Sequence, residues 1–137
     1  MLFDRANSTL KVHGVLAIVF GSLGLLAGLI FTMLMALGTL ADNSYAYNPN
    51  DSALGLFFVG ALTFVFWVLP HIYLIVSGTY LIRQPSPKLA KVLVIINLVI
   101  GVFWNLVLLI FAIINLTELA DYERGYHSHR KHLHKAE

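Results

Sequence analysis

Three long stretches of this chain contain no Asp, Glu, Lys or Arg. They cover residues 12–41, 52–82 and 92–117, and they consist mainly of Leu, Ile, Val, Phe, Ala and Gly. A helix needs about 20 apolar residues to cross the hydrocarbon core of a bilayer, because each residue advances it by about 1.5 Å. Each stretch is therefore long enough to cross a membrane once, and none crosses comfortably twice.

The sequence predicts an all-α, polytopic integral membrane helical bundle with three long transmembrane helices. The expected spans are 12–40, 54–82 and 89–117, and a polar, histidine-containing tail follows at 118–137. We assign residues 1–137 to one transmembrane domain, because the loops and tails leave no room for a second folded domain. Four spans are the alternative, in which Pro70 interrupts the second stretch.

Composition excludes several classes of function. Cysteine is absent, so the chain has no disulfide, thiolate metal site or cysteine nucleophile. A formal net charge of +2 is too small to indicate nucleic acid binding. The spans provide no set of nucleophile, base and orienting acid, so we expect a protein that is not an enzyme and needs no cofactor.

The positions of the charges predict the orientation in the membrane. The loop at 42–51 carries two acids and no base, whereas the loop at 83–91 carries Arg83, Lys88 and Lys91. Because basic segments stay in the cytoplasm, we expect the N-terminus and the loop at 83–91 inside and the loop at 42–51 outside. Three spans would place the tail outside, but its four basic residues favour a fourth crossing that returns it to the cytoplasm.

Small residues form a stripe along the first span. Their spacing of three and four places them on one helix face: Gly14, Ala17, Gly21, Gly24 and Gly28. In lipid, close approach of helix backbones over such residues is a main source of helix association. We call this stripe the small-residue seam; it packs either against the other spans of the same chain or against a second copy.

Polar side chains in the later spans predict an intramembrane cluster. If the second and third spans form a hairpin about residues 84–87, His71 lies close in depth to Asn97 and Asn105, and Ser77 is near. Buried polar groups pair with each other because hydrocarbon offers no other partner. The cluster is either a set of hydrogen bonds that joins helices or a path for a proton or ligand.

The tail contains the densest group of side chains that can bind a metal. Four histidines follow an HxHxxHxH pattern: His127, His129, His132 and His134. Imidazole nitrogens at this spacing suit zinc, copper or nickel. A solvated, polar tail is the alternative interpretation.

Part of the sequence resembles a known membrane family. The resemblance covers about residues 10–100 and rests on Lys11-Val12-x-Gly14 with Gly21, on Ser77-Gly78, and on Lys91 six residues before Asn97. In these features the chain is similar to the membrane-spanning four-domain (B-lymphocyte antigen-like) family and to small uncharacterised bacterial integral membrane proteins. The chain differs from the four-domain family in lacking a clear fourth span and a cysteine-bearing outer loop. The resemblance implies a helical bundle that self-associates and works with partners.

Three classes of function remain from this sequence. The first is a structural or accessory subunit of a membrane complex, which acts through helix packing and contacts the bilayer, other membrane subunits or a second copy of itself. The alternative is a homo-oligomeric channel or small transporter with a polar path near His71, Asn97 and Asn105. The third is an enzyme or a metal-handling protein that uses the tail histidines.

Overall fold

The computed structural model describes residues 2–42 and 49–133, which are almost entirely helical. The helices are α1 (Leu2–Asp42), α2 (Pro49–Thr63), a π-helical segment (Phe64–Val68), α3 (Leu69–Ile82), α4 (Pro87–Trp104) and α5 (Leu106–Leu133). These two ranges contain no strand. Three helical stretches are long and apolar enough to cross a membrane: Leu2–Gly38, Phe57–Ile82 and Pro87–Trp104. The predicted all-α membrane bundle with three spanning helices is confirmed.

The second spanning stretch contains a proline and remains helical through it. Just before Pro70, the backbone N–H of Leu69 donates to the carbonyl of Phe64, five residues earlier, at the end of the π-helical segment. Proline lacks an N–H and disturbs the regular α-helical ladder, and π turns are one way in which a helix absorbs such a disturbance. Helix α3 then continues to Ile82, so Pro70 does not divide the second stretch into two spans.

The third charge-free stretch, in contrast, is divided. Asn105 is extended, with φ −155° and ψ 104°, and it separates α4 from α5. Its N–H donates to the carbonyl of Gly101, while its side-chain oxygen accepts from the N–H groups of Val107 and Leu108 at 3.0 and 3.2 Å. An Asn side chain that accepts bonds from the next turn is a helix N-cap. The expected continuous span 89–117 is therefore two helices that meet at Asn105.

Helix α5 runs back alongside α4. Near their junction, the backbones approach so closely that a Cβ on Gly101 would lie 2.7 Å from the backbone nitrogen of Leu109. At the far end, the hydroxyl of Tyr122 donates to the carbonyl of Pro85, just before α4 begins, at 2.7 Å. The first residues of the tail therefore lie beside the turn that precedes α4.

The chain divides into two compact units. The first unit comprises Met1–Val19 and Leu74–Glu137, and the second comprises Phe20–Tyr73. In the described ranges, the buried apolar side chains of the core all belong to the first unit: Ala6, Leu10, Ala17, Leu74, Leu81, Ala90, Leu93, Val94, Leu108, Ala112 and Tyr122. The expectation of one transmembrane domain stays a prediction.

Candidate functional site

A cluster of buried polar side chains joins the four helices of the first unit. Each helix contributes one member: His13 from α1, Ser77 from α3, Asn97 from α4 and Asn115 from α5. All four side chains are fully buried. We call this group the four-helix polar cluster.

A continuous set of short contacts runs through the four-helix polar cluster. Asn97 Oδ1 lies 3.1 Å from the hydroxyl of Ser77, and Asn97 Nδ2 lies 3.4 Å from Nε2 of His13. On the other side of the imidazole, Asn115 Nδ2 lies 2.8 Å from Nδ1 of His13. The Ser77 hydroxyl also lies 3.1 Å from the carbonyl of Leu74.

One assignment of hydrogens satisfies this whole set. The amide nitrogen of Asn115 donates to the carbonyl of Phe111 and to Nδ1 of His13, which places the imidazole proton on Nε2. A half-turn of the Asn97 amide presents its oxygen to Nε2–H and its nitrogen to the Ser77 hydroxyl, which itself donates to the carbonyl of Leu74. Every contact then has one donor and one acceptor, and His13 is a neutral imidazole.

One acceptor of the four-helix polar cluster has no partner. The side-chain oxygen of Asn115 is buried and accepts no hydrogen bond from the described residues. One turn further along α5, Glu118 accepts from Arg5 Nε at 3.1 Å through Oε1, while its Oε2 is also buried and unpartnered. Two unpaired acceptors therefore lie on the same side of α5, because residues three apart share a helix face.

A pair of glycines beside the cluster sets the distance between α1 and α3. An added Cβ on Gly14 would lie 2.7 Å from the carbonyl oxygen of Gly78, and one on Gly78 would lie 2.5 Å from that of Gly14. Only glycine permits backbones to approach this closely. Because His13 precedes Gly14 and Ser77 precedes Gly78, the same approach brings both polar side chains to one level.

Aromatic packing closes the end of the first unit where α5 leaves the apolar stretch. The ring of Tyr122 stacks on Phe3 at a centroid distance of 5.7 Å and is fully buried. Burial, together with the neighbouring Tyr126, raises the pKa of Tyr122 to about 12. The hydroxyl therefore keeps its proton, and its bond to the carbonyl of Pro85, to a higher pH than an ordinary tyrosine would.

The second unit has a separate set of polar contacts. The indole N–H of Trp67 donates to the carbonyl of Gly24 at 2.8 Å, and Nδ1 of His71 lies 2.6 Å from the carbonyl of Trp67, to which it donates. An added Cβ on Gly24 would collide with His71, and one on Gly28 would collide with Trp67. These two glycines make room for the aromatic rings that face them.

The small-residue seam is thus used for packing within the chain. Gly14 and Ala17 are buried in the first unit, and Gly21 and Gly28 are buried in the second, where Gly24 is partly exposed. In the second unit, Gly24 faces His71 and Gly28 faces Trp67. Of the two interpretations of the seam, contacts within one chain have this direct support.

The structure joins only part of the predicted intramembrane cluster. Ser77 and Asn97 are in contact, as expected from the hairpin about residues 84–87. Asn105 is not a member, because its side chain caps α5. His71 belongs to the second unit, and its described hydrogen bond is with the carbonyl of Trp67.

Sequence reasoning missed two members of the four-helix polar cluster. His13 lies only two residues from Lys11 and resembles an interfacial residue, although its neighbour Gly14 belongs to the seam. Asn115 is the only strongly polar side chain between Asn105 and Thr117. An isolated amide in such an apolar segment is the signal that could have identified it.

The proposed metal site in the tail lies mostly outside the described residues. The side chain of His127 is exposed and packs edge-on against Tyr126. The side chains of His129 and His132, and all of His134, lie outside the described part of the chain. Among the described residues no group of three His, Cys, Asp or Glu side chains is close enough to hold a metal ion. The tail metal site stays a prediction.

Comparison with known proteins does not assign this chain to a family. The chain matches no protein-family model, no curated protein and no solved structure. The resemblance to the membrane-spanning four-domain family therefore stays a prediction.

Proposed function

We propose that this small integral membrane protein is a non-enzymatic structural or accessory subunit of a membrane complex, and that it acts through helix packing. One observation carries the proposal: the first unit buries polar side chains and an apolar core, whereas the second unit mainly exposes apolar side chains. In the first unit, the members of the four-helix polar cluster bond to one another and the apolar core is buried, and the Asn115 oxygen is the one acceptor of the cluster without a partner among the described residues. In the second unit, most described side chains are large, apolar and exposed.

The second unit provides the surface for a partner. Of the apolar 18-residue segment of Phe57–Ile82, a span that lies mostly in the second unit, only 11% is buried, compared with 22% for Leu2–Gly38 and 28% for Pro87–Trp104. Glycines 38, 55 and 60 have open space where a Cβ would be. In a bilayer, small residues beside bulky ones permit a partner helix to approach closely and pack against the backbone. Flexible lipid chains form fewer close contacts with such a surface. These features support a neighbouring protein helix over lipid alone.

The π-helical segment strengthens this assignment. It presents Phe64, Val65 and Phe66, all about half exposed or more, on a widened turn of the second spanning stretch. π turns inside longer helices occur frequently at functional positions, because they shift the side chains that follow around the helix axis. A surface formed this way suits a specific partner.

A channel or small transporter is the second candidate. It is favoured by one observation, the buried and unpartnered oxygen of Asn115 within the four-helix polar cluster. The path expected near His71, Asn97 and Asn105 has less support, because Asn105 is occupied as a helix cap. A channel would have to use His13 and Asn115 instead.

Native mass spectrometry of the full chain, extracted from its own membrane into nanodiscs, tests the proposal. An accessory subunit is released together with larger, different chains in fixed stoichiometry. Release as single chains overturns the proposal, and release as an assembly of identical 15.2 kDa chains favours the channel.

A matched pair of variants locates the partner surface. Phe57 in the second unit is 75% exposed and Phe103 in the first unit is 73% exposed. Both rings are largely exposed, and the ring contact of Phe103 is with its sequence neighbour Trp104. Phe57→Ala and Phe103→Ala should therefore both fold. We expect Phe57→Ala to reduce the recovery of partner chains and Phe103→Ala to leave it unchanged. The reverse result would move the partner surface to the first unit.

A further inference from the structure

A cavity of about 410 Å³ lies in the first unit between the beginning of α4 and the middle of α5. Its lining is divided by chemistry. Lys88 and Lys91 contribute the basic part, Leu116, Leu119 and Ala120 contribute an apolar floor, and Glu123 is the one acid. Ligand sites in proteins are commonly of this size or larger, and they combine apolar walls with a few polar groups.

The two lysines are available to a ligand. They are three residues apart in the first turns of α4, so their ammonium groups extend from one face of the helix. Both side chains are exposed, and neither forms an ion pair with Glu123 or any other acid in the described ranges. The cavity therefore carries an excess of one positive charge.

The cavity lies at the boundary between the apolar and the polar parts of both helices. On α4, the charge-free stretch begins at Val92, directly after Lys91. On α5 it ends at Thr117, which in sequence lies between the floor residues Leu116 and Leu119. Basic side chains at such a boundary lie at the depth of lipid headgroups, and apolar side chains next to them lie at the depth of the first acyl carbons. Both parts of the cavity thus match the two parts of a phospholipid.

We propose that this cavity binds an anionic phospholipid. The phosphate contacts the ammonium groups of Lys88 and Lys91, and the beginning of an acyl chain covers Leu116 and Leu119. Basic pockets between membrane helices are suited to acidic headgroups because the ammonium groups and the phosphate attract each other strongly at the edge of the low-dielectric core. The apolar floor selects a lipid over free phosphate, which has no group to place there. Glu123 opposes the anion and keeps the affinity moderate.

The test uses the full chain, purified in a detergent and titrated with phosphatidylglycerol or phosphatidylcholine of the same acyl chains, with bound lipid counted by native mass spectrometry. We expect saturable binding of one phosphatidylglycerol in preference to phosphatidylcholine. The variant K88Q/K91Q should bind it at least about tenfold more weakly, because each basic residue near the surface contributes about 1 kcal/mol. The control R83Q/R124Q removes the same charge from exposed residues that do not line the cavity, and it should bind as the wild type does.

Two further variants separate the lipid from other ligands. Glu123→Gln should increase the affinity for phosphatidylglycerol, because it removes the opposing charge; a decrease would indicate a zwitterionic lipid and overturn the proposal. Ala120→Trp fills the apolar floor without changing charge, so it should abolish binding. Competition by millimolar inorganic phosphate would overturn the proposal, because it would indicate a simple anion site. Equal losses of lipid affinity in K88Q/K91Q and R83Q/R124Q would also overturn it, because they would indicate a non-specific effect of charge.

Discussion

Replacement of Asn97 by leucine tests whether the four-helix polar cluster holds the first unit together. Asn97 connects the Ser77 hydroxyl to the imidazole of His13, and its side chain is fully buried. Leucine has the same number and branching of side-chain heavy atoms, so Asn97→Leu removes both contacts without opening a cavity. The imidazole Nε2–H would then be left without an acceptor.

The expected loss follows from the strength of such bonds in membranes. Hydrogen bonds between membrane helices average about 0.6 kcal/mol and reach about 1.7 kcal/mol, so two of them are worth about 1 to 3 kcal/mol. We expect Asn97→Leu to lower the free energy of unfolding by this amount. Reversible unfolding in mixed micelles with increasing mole fraction of dodecyl sulfate, followed by tryptophan fluorescence, measures the change.

A double-mutant cycle with Ser77→Ala makes the prediction specific. Because Ser77 and Asn97 are bonded to each other, the double variant should lose less stability than the two single losses added together. Thr79→Val is the control, since this hydroxyl is on an exposed residue and bonds only to the carbonyl of Val76 in its own helix. Full additivity, or an unchanged stability of Asn97→Leu, would refute the idea that this cluster joins the helices.

Three other predictions follow from single contacts. Gly78→Ala should destabilise the fold by about 1 to 3 kcal/mol in the same assay, because its Cβ would lie 2.5 Å from a backbone oxygen of α1, whereas Gly38→Ala has open space and should be tolerated. Asn105→Ala should cost about 1 kcal/mol through the lost cap, with Asn105→Asp restoring most of it. Burial raises the pKa of Tyr122 from 10 to about 12, so the hydroxyl contributes stability below pH 10 and loses it as the pH rises through 12. The late-titrating tyrosine absorbance at alkaline pH should therefore decrease by one residue in Tyr122→Phe.

The spanning helices could be predicted from sequence because one physical constraint governs them. In hydrocarbon, every backbone N–H and C=O must be bonded within the protein, so a long charge-free stretch has helix as its main solution. The contact between Ser77 and Asn97 was also accessible, because the short turn at 83–86 fixes the register of α3 against α4. Both predictions depended on local sequence alone.

The break at Asn105 could not be found in the same way. No glycine, proline or charged residue occurs between Asn105 and Thr117 to mark a turn, and the sequence is apolar from Leu106 to Ile114. A polar residue in such a stretch is consistent with either an interhelical bond or a cap. The choice depends on tertiary packing, here the close approach of Gly101 to the backbone of Leu109, which a sequence pattern of this kind does not contain.

The return of α5 also removes a conflict in the distribution of charge. With three crossings, the basic tail would lie on the opposite side from Lys88 and Lys91, against the rule that basic segments share the cytoplasmic side. In the first unit, however, Arg5 at the beginning of α1 pairs with Glu118 of α5, and Tyr122 contacts Pro85 before α4. The start of the chain, the turn before α4 and the start of the tail therefore meet at one end of the unit. Because Arg5, Lys88 and Arg124 belong to these three segments, one orientation of the first unit would satisfy the rule, and the turn at Asn105 makes that arrangement possible.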